Sequence, residues 1–305
     1  MERDALIRRY QQVRARTETL AAPLSAEDML VQSMPDASPT KWHRAHTTWF
    51  FETFALAPAG IAVVDANYGF LFNSYYEAVG PRHERPKRGM LSRPTAAEVS
   101  DYRRLVDERV LKLLATADAT KLPALLPIIE LGINHEEQHQ ELLLTDILHA
   151  FAQNPLQPSF LPAAPATPPA TAGTAHALGF VAFDGGLHEI GAPATEPFAF
   201  DNERPRHKQW IEPFALADRL VTAGELTAFI RADGYRTPTL WLAEGYDFIR
   251  THEIAAPLHY TFTDGVLRAF SLAGLRVVAA DEPLAHVSYY EIGRASCRER
   301  VFALV

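Results

Sequence analysis

Residues 133–147 read INHEEQHQELLLTDI, and they contain His135, Glu136 and His139 in the order H-E-x-x-H. On a helix, residues four apart share a face, so both imidazoles can point at one ion from successive turns. A zinc peptidase of this type also requires a third ligand downstream. In the extended pattern the glycine would fall at Leu142 and the histidine at Thr145. His149 lies on roughly the same stripe, but ten residues of helix rise about 15 Å, too far for a shared ion. No glutamate occurs between Glu141 and Glu189, so that alternative ligand is missing too. The residues around the motif therefore argue against a peptidase.

Upstream, SPTKWHRAHTTWFFETFAL (38–56) carries His43 and His46 among aromatic residues. Either can be a third ligand, and spacing does not choose between them. Three neutral imidazoles suit zinc, iron, copper or nickel, so the donor set leaves the metal open. Helix bundles assemble such sites from facing helices.

The surrounding pattern predicts that bundle. Residues 2–20 form an amphipathic stretch. A second helix starts near Ser38, whose hydroxyl can cap it, with Pro39 at the first helical position. The third begins at Thr95, with Glu98 completing a capping box. The fourth runs from about 124 to 152, with Pro127 early in it and Asn154-Pro155 as its stop. A Pro/Arg-rich crossover occupies 58–94. We divide the chain into a bundle at 1–153, a Pro/Ala-rich linker at 154–177, an α+β region at 178–290 and a suspect tail at 291–305. In the α+β region, alternation around Gly185-Gly186 predicts a hairpin, and TAGELTAFIRADG predicts a short helix ended by Gly234.

The chain has 305 residues, is 48% hydrophobic and carries a net charge of −8. That balance disfavours a nucleic-acid partner, which would call for clustered Lys and Arg. No run approaches the ~18 apolar residues of a membrane span, and the expected location is cytoplasmic. Cys297 is the single cysteine, so no internal disulfide is expected. It lies in EIGRASCRERV, which looks like translated adapter sequence rather than evolved protein.

Together, SPTKWHRAHTTWFFETF, FNSYYEAVGPRHERPKRGMLSRPT, NHEEQHQELLLTDI, FDNERPRHKQWIEPF and PLAHVSYYE resemble the sulfoxide synthases of ergothioneine biosynthesis, the hercynine oxygenases. The resemblance implies a DinB-like four-helix bundle joined to a C-type-lectin-like domain of the formylglycine-generating-enzyme type. It implies that His46, His135 and His139 bind iron(II), that His43 is structural, and that O2 is a co-substrate. The substrates would be hercynine, joined at C2 of its imidazole, and a thiol donor, cysteine or gamma-glutamylcysteine. Gln138 matches a position near the bound hercynine. Tyr75 and Tyr76 match a tyrosine pair near the iron, and Arg85 and Arg88 are candidate partners for the donor's carboxylates. Relatives continue past HVSYYE through the rest of the lectin-like domain, so this chain is expected to bind iron without full turnover. Competing readings are a selenoneine or ovothiol-type synthase on the same scaffold, a DinB-like metal-dependent thiol transferase, and a remnant whose bundle is only structural.

Overall fold

A computed structural model describes residues 3–74, 76, 79–162 and 176–292. Tyr75, residues 163–175 of the expected linker and residues 293–305 of the suspect tail lie outside the described residues. The chain divides into two compact units, Met1–Phe160 and Leu161–Val305.

Unit 1 is helical. Its long elements are α1 (Arg3–Ala21), α2 (Thr40–Phe51), α4 (Ala96–Thr116) and α5 (Leu122–Gln153), with a short α3 (Tyr68–Leu71) in the crossover. Apolar residues at helical spacing meet in one core: Leu6, Tyr10 and Val13 of α1, Trp49 and Phe50 of α2, Val99, Val106 and Val110 of α4, and Ile129 and Ile133 of α5. α2 is buried on every side, and it continues directly into a single π turn, Glu52–Leu56. Such widened turns often accompany functional sites.

The Thr95–Glu98 capping box forms as expected, with the Glu98 amide donating to Thr95 Oγ1 at 3.2 Å. Ser38 differs from expectation. Pro39 takes the capping position of α2, and the Ser38 hydroxyl instead accepts from Arg88 Nη1 at 2.8 Å. The Ser38 amide donates to Asp146 Oδ2 of α5 at 2.8 Å. Long-range partners thus outcompete the local cap.

α5 crosses α2 closely at Gly132. A Cβ there would lie 2.4 Å from Phe51 Cε1 and 2.9 Å from Phe50 Cε1. Both rings are at most 2% exposed and have nowhere to retreat. Gly132→Ala gains about 1 kcal/mol of helix propensity but overpacks the core, at a cost of about 1–3 kcal/mol. The steric term wins because both rings are hemmed in. We expect a lower urea midpoint with an unchanged m-value; a raised midpoint would show that the rings can give way.

Unit 2 contains β1 (Phe180–Phe183), β2 (Gly186–Ile190), β3 (His207–Ile211), β4 (Phe214–Ala217), α6 (Ala223–Arg231), α7 (Ala243–Thr251), β5 (Tyr260–Thr263), β6 (Val266–Ser271) and β7 (Gly274–Val277). The last three strands form an antiparallel meander. Leu226 and Phe229 of α6, Trp241, Ile249 of α7, and Tyr260 and Leu267 of the meander make its core.

The expected hairpin at Gly185-Gly186 is not a hairpin. β1 pairs with β4 and β2 with β3, and Phe180↔Ala217 and Ile190↔His207 belong to one continuous register. The segments 180–190 and 207–217 form one antiparallel ribbon with a break at its middle. Pro213, opposite Asp184 in this register and beside Gly185, has no amide to give the ladder. A Cβ on Gly185 would lie 2.5 Å from the Ile211 carbonyl oxygen. Gly185 therefore admits a close approach of the opposite segment, and Gly186 supplies a φ of 143°, without a turn between them. Gly234 likewise does not terminate α6 by its own dihedrals, because Asp233 takes the left-handed conformation at φ 56°. Gly234 is required because a Cβ there would lie 2.1 Å from the Phe229 ring.

Candidate metal centre

His135 and His139 lie on successive turns of α5, and His46 of α2 faces them. Each of these three histidines offers a ring nitrogen, and the three atoms lie within 4.8 Å of one another. His46 Nε2 and His135 Nε2 are 3.2 Å apart across 89 residues of sequence. Metal–imidazole bonds of about 2.1 Å place two donors on one ion roughly 3 Å apart at a right angle, so the spacing fits a shared ion.

The rear nitrogens are held differently. His46 Nδ1 lies 2.5 Å from the Phe72 carbonyl oxygen. A carbonyl can only accept, so the proton sits on Nδ1 and the Nε2 lone pair faces His135. His139 Nδ1 lies 2.8 Å from His43 Nδ1, and His43 Nε2 lies 3.0 Å from Asp146 Oδ2. His135 Nδ1 is buried with no hydrogen-bond partner among the described residues.

Burial pushes the pKa of all three down, because a charged imidazolium loses its hydration. The effect is large for His46 and His139, and brings His135 to about 4. At neutral pH the three rings are uncharged and can ligate a cation. The donor chemistry and the geometry therefore fit a metal ion.

His46 is fixed by a stack that α2 builds from its own sequence. Trp42, one turn before it, lies parallel at 4.5 Å between ring centroids, and Trp49, one turn after it, is stacked at 5.6 Å. The Arg88 guanidinium covers the outer face of Trp42 at 3.4 Å. Phe50 packs on His135 at 4.9 Å.

The remaining residues singled out in the sequence take different places. Gln138 is exposed on α5, beside His139 and one turn from His135. Tyr76 packs its ring against Phe54 at 5.1 Å and Trp49 at 5.8 Å, which puts it one ring away from His46. Arg88 is buried and donates to the hydroxyls of Ser38 and Ser74. Arg85 donates to the Asp36 carbonyl. Tyr75 lies outside the described residues.

Glu136 points away from the histidines into the bundle core, fully buried. It accepts from Arg14 Nη1 at 2.9 Å, Arg103 Nη2 at 2.9 Å and Thr17 Oγ1 at 2.6 Å. Burial alone would raise its pKa, but the two guanidiniums and the hydroxyl outweigh it and hold the carboxyl at about 2. A permanently charged, fully engaged carboxylate cannot serve as a peptidase general base.

Asp146 escaped the sequence reading. Its signal was its spacing of seven residues from His139, two helical turns on the same face of α5.

Residues 9–143 match the DinB superfamily and residues 166–295 match the sulfatase-modifying factor enzyme 1-like domain. The chain is 30% identical to the hercynine oxygenase of Mycolicibacterium thermoresistibile over 287 residues, 92% of the chain and 60% of that protein. It is 28% identical to the hercynine oxygenase of Mycobacterium tuberculosis over 91% of the chain and 62% of that protein. To the Mycolicibacterium smegmatis hercynine oxygenase it is 34% identical, over 53% of the chain and 36% of the relative. The chain thus spans about three-fifths of the length of two of these relatives and about a third of the other. Among the described residues no helix is long and apolar enough to cross a membrane. The chain joins a DinB-like helical unit to a sulfatase-modifying factor enzyme 1-like domain, and it is similar to hercynine oxygenases over 91–92% of its sequence.

Proposed function

We propose that the chain acts as a non-haem iron(II), O2-dependent sulfoxide synthase that joins a thiol to C2 of the imidazole of hercynine, the thiol being cysteine or gamma-glutamylcysteine. One observation carries the reading: a buried three-histidine group lies in a chain similar to hercynine oxygenases over more than nine-tenths of its length. His46, His135 and His139 would hold the iron through uncharged nitrogen donors. Iron bound there supplies redox chemistry toward O2 and lowers the pKa of a coordinated thiol.

The chain's own residues supply the rest. Trp42, Trp49 and Phe50 press on the ligand rings and keep water from their faces. Gln138, exposed beside His139, is assigned a hydrogen bond to the hercynine imidazole. Tyr75 and Tyr76 are assigned proton delivery from their phenolic oxygens, and Arg85 and Arg88 are assigned the donor's carboxylates. The partners in this reading are small molecules in a cytoplasmic setting, and a net charge of −8 disfavours nucleic acid.

The test is an anaerobic titration of hercynine into iron(II)-loaded protein, followed by O2 and each donor, with products read by mass spectrometry. We expect a hercynine-dependent change in the metal spectrum and a thiol adduct carrying one added oxygen. Iron uptake with no response to hercynine would sink the substrate assignment. Thiol transfer that proceeds without O2 would favour a transferase instead.

A further inference from the structure

The three ligand rings are not held alike from behind, and the difference assigns a task to a fourth histidine. His46 leans on a neutral backbone carbonyl, and His135 has nothing behind Nδ1 among the described residues. Behind His139 stands a line of side chains, with His43 Nδ1 at 2.8 Å and Asp146 Oδ2 a further 3.0 Å from His43 Nε2. The same carboxylate oxygen accepts from the Ser38 amide at 2.8 Å. His43 is 3% exposed, so water does not compete for these bonds.

Proton placement follows from the ends of the line. A carboxylate only accepts, so His43 carries a hydrogen on Nε2, and as a neutral imidazole it presents a lone pair at Nδ1. The hydrogen between the two rings then belongs to His139 Nδ1, which leaves His139 Nε2 bare and aimed away from His43. We propose that His43 and Asp146 are positioning residues that lock His139 into its metal-binding tautomer and direct the Asp146 negative charge onto that one ligand. This inference rests on the three-histidine metal reading. Its consequence is an uneven ligand set, with His139 the strongest donor, because a hydrogen bond passed toward a carboxylate raises the basicity of a ligating imidazole.

Cobalt(II) alone is the probe. Loaded wild-type protein should show a hyperfine-shifted, exchange-protected ring N–H proton from His139, beside that of His46. In His43→Ala that one resonance should broaden into solvent exchange while the His46 resonance stays. Cobalt affinity should fall about 10–100-fold, the usual range for partners behind a ligand. Asp146→Asn keeps an acceptor but removes the charge, and should lose roughly tenfold. It also covers the case in which His43→Ala fails to fold.

Unchanged affinity and unchanged N–H signals in either variant would overturn the inference and leave the metal site standing. Loss of binding as complete as in a ligand variant would overturn it by making His43 a ligand. If the wild-type protein takes up no cobalt, the metal reading fails and the inference fails with it.

Discussion

Glu136→Ala should lower the stability of the helical unit by about 3 kcal/mol, the lower end of the cost of breaking a buried ion pair, because each arginine keeps a second, more exposed carboxylate. Glu136 is 0% exposed, and the Arg14 and Arg103 side chains it pairs with are only 4% and 3% exposed. Removing it takes the one fully buried carboxylate from two guanidiniums between α1, α4 and α5, leaves Arg14 to Asp107 and Arg103 to Glu18 at the edges of the cluster, and leaves the Thr17 hydroxyl only the Val13 carbonyl at 3.4 Å. Urea unfolding followed by far-ultraviolet circular dichroism measures the change. The pH dependence gives a second check. The folded carboxyl titrates near 2, below its ordinary 4.5. Its contribution is therefore fully present above about 4.5 and is lost as the pH falls toward 2. Wild type and variant should converge on acidification. His135 adds a loss of its own between its ordinary 6.5 and about 4, because the unfolded chain takes up that proton first. A Glu136→Ala protein as stable as wild type would refute the ion-cluster role of this residue.

His46→Ala should weaken metal binding by at least about 100-fold, beyond the 10–100-fold typical of residues behind a ligand. It removes the only one of the three candidate ligands supplied by α2, leaving two nitrogens from one helix. The change also opens space between Trp42 and Trp49 and leaves the Phe72 carbonyl without its donor, costing about 1–3 kcal/mol. His46→Gln separates these effects. Its amide can still offer an N–H to the carbonyl, so it should recover much of the stability and little of the metal affinity. Equilibrium dialysis with iron(II) under anaerobic conditions reads the affinity. Retention of wild-type affinity in both variants would remove His46 from the ligand set.

The parts of the fold legible in sequence are those governed by neighbours along the chain. The Thr95–Glu98 box, the start of α6 at Thr222 and the stop of α5 before Asn154-Pro155 are local chemistry. So is the facing pair His135 and His139. Features set by distant partners are not legible in this way. Gly185-Gly186 carries hairpin residues, yet its conformation is decided by Ile211 and Pro213 on the opposite segment. Ser38 looks like a cap, but Arg88, 50 residues away, claims its hydroxyl. Glu136 is printed inside a peptidase motif, and its role is set by Arg14 and Arg103. A trace of that role was visible in α1, where Arg14 and Thr17 fall on the buried stripe with Leu6, Tyr10 and Val13. Polar residues on an apolar stripe need a buried partner. Of the candidate site, the α5 histidines were legible from spacing, whereas the choice of His46 over His43 needed the resemblance.

The division of the candidate ligands between α2 and α5 has a thermodynamic consequence. An ion held by His46 on one helix and by His135 and His139 on the other is a cross-link between segments 89 residues apart in the chain. It binds only when the two helices are docked, so its binding free energy adds to that of folding. Free ion at a hundred times its dissociation constant would add about 2.7 kcal/mol. The helical unit would then have no single intrinsic melting temperature, and its persistence would follow the supply of metal around it.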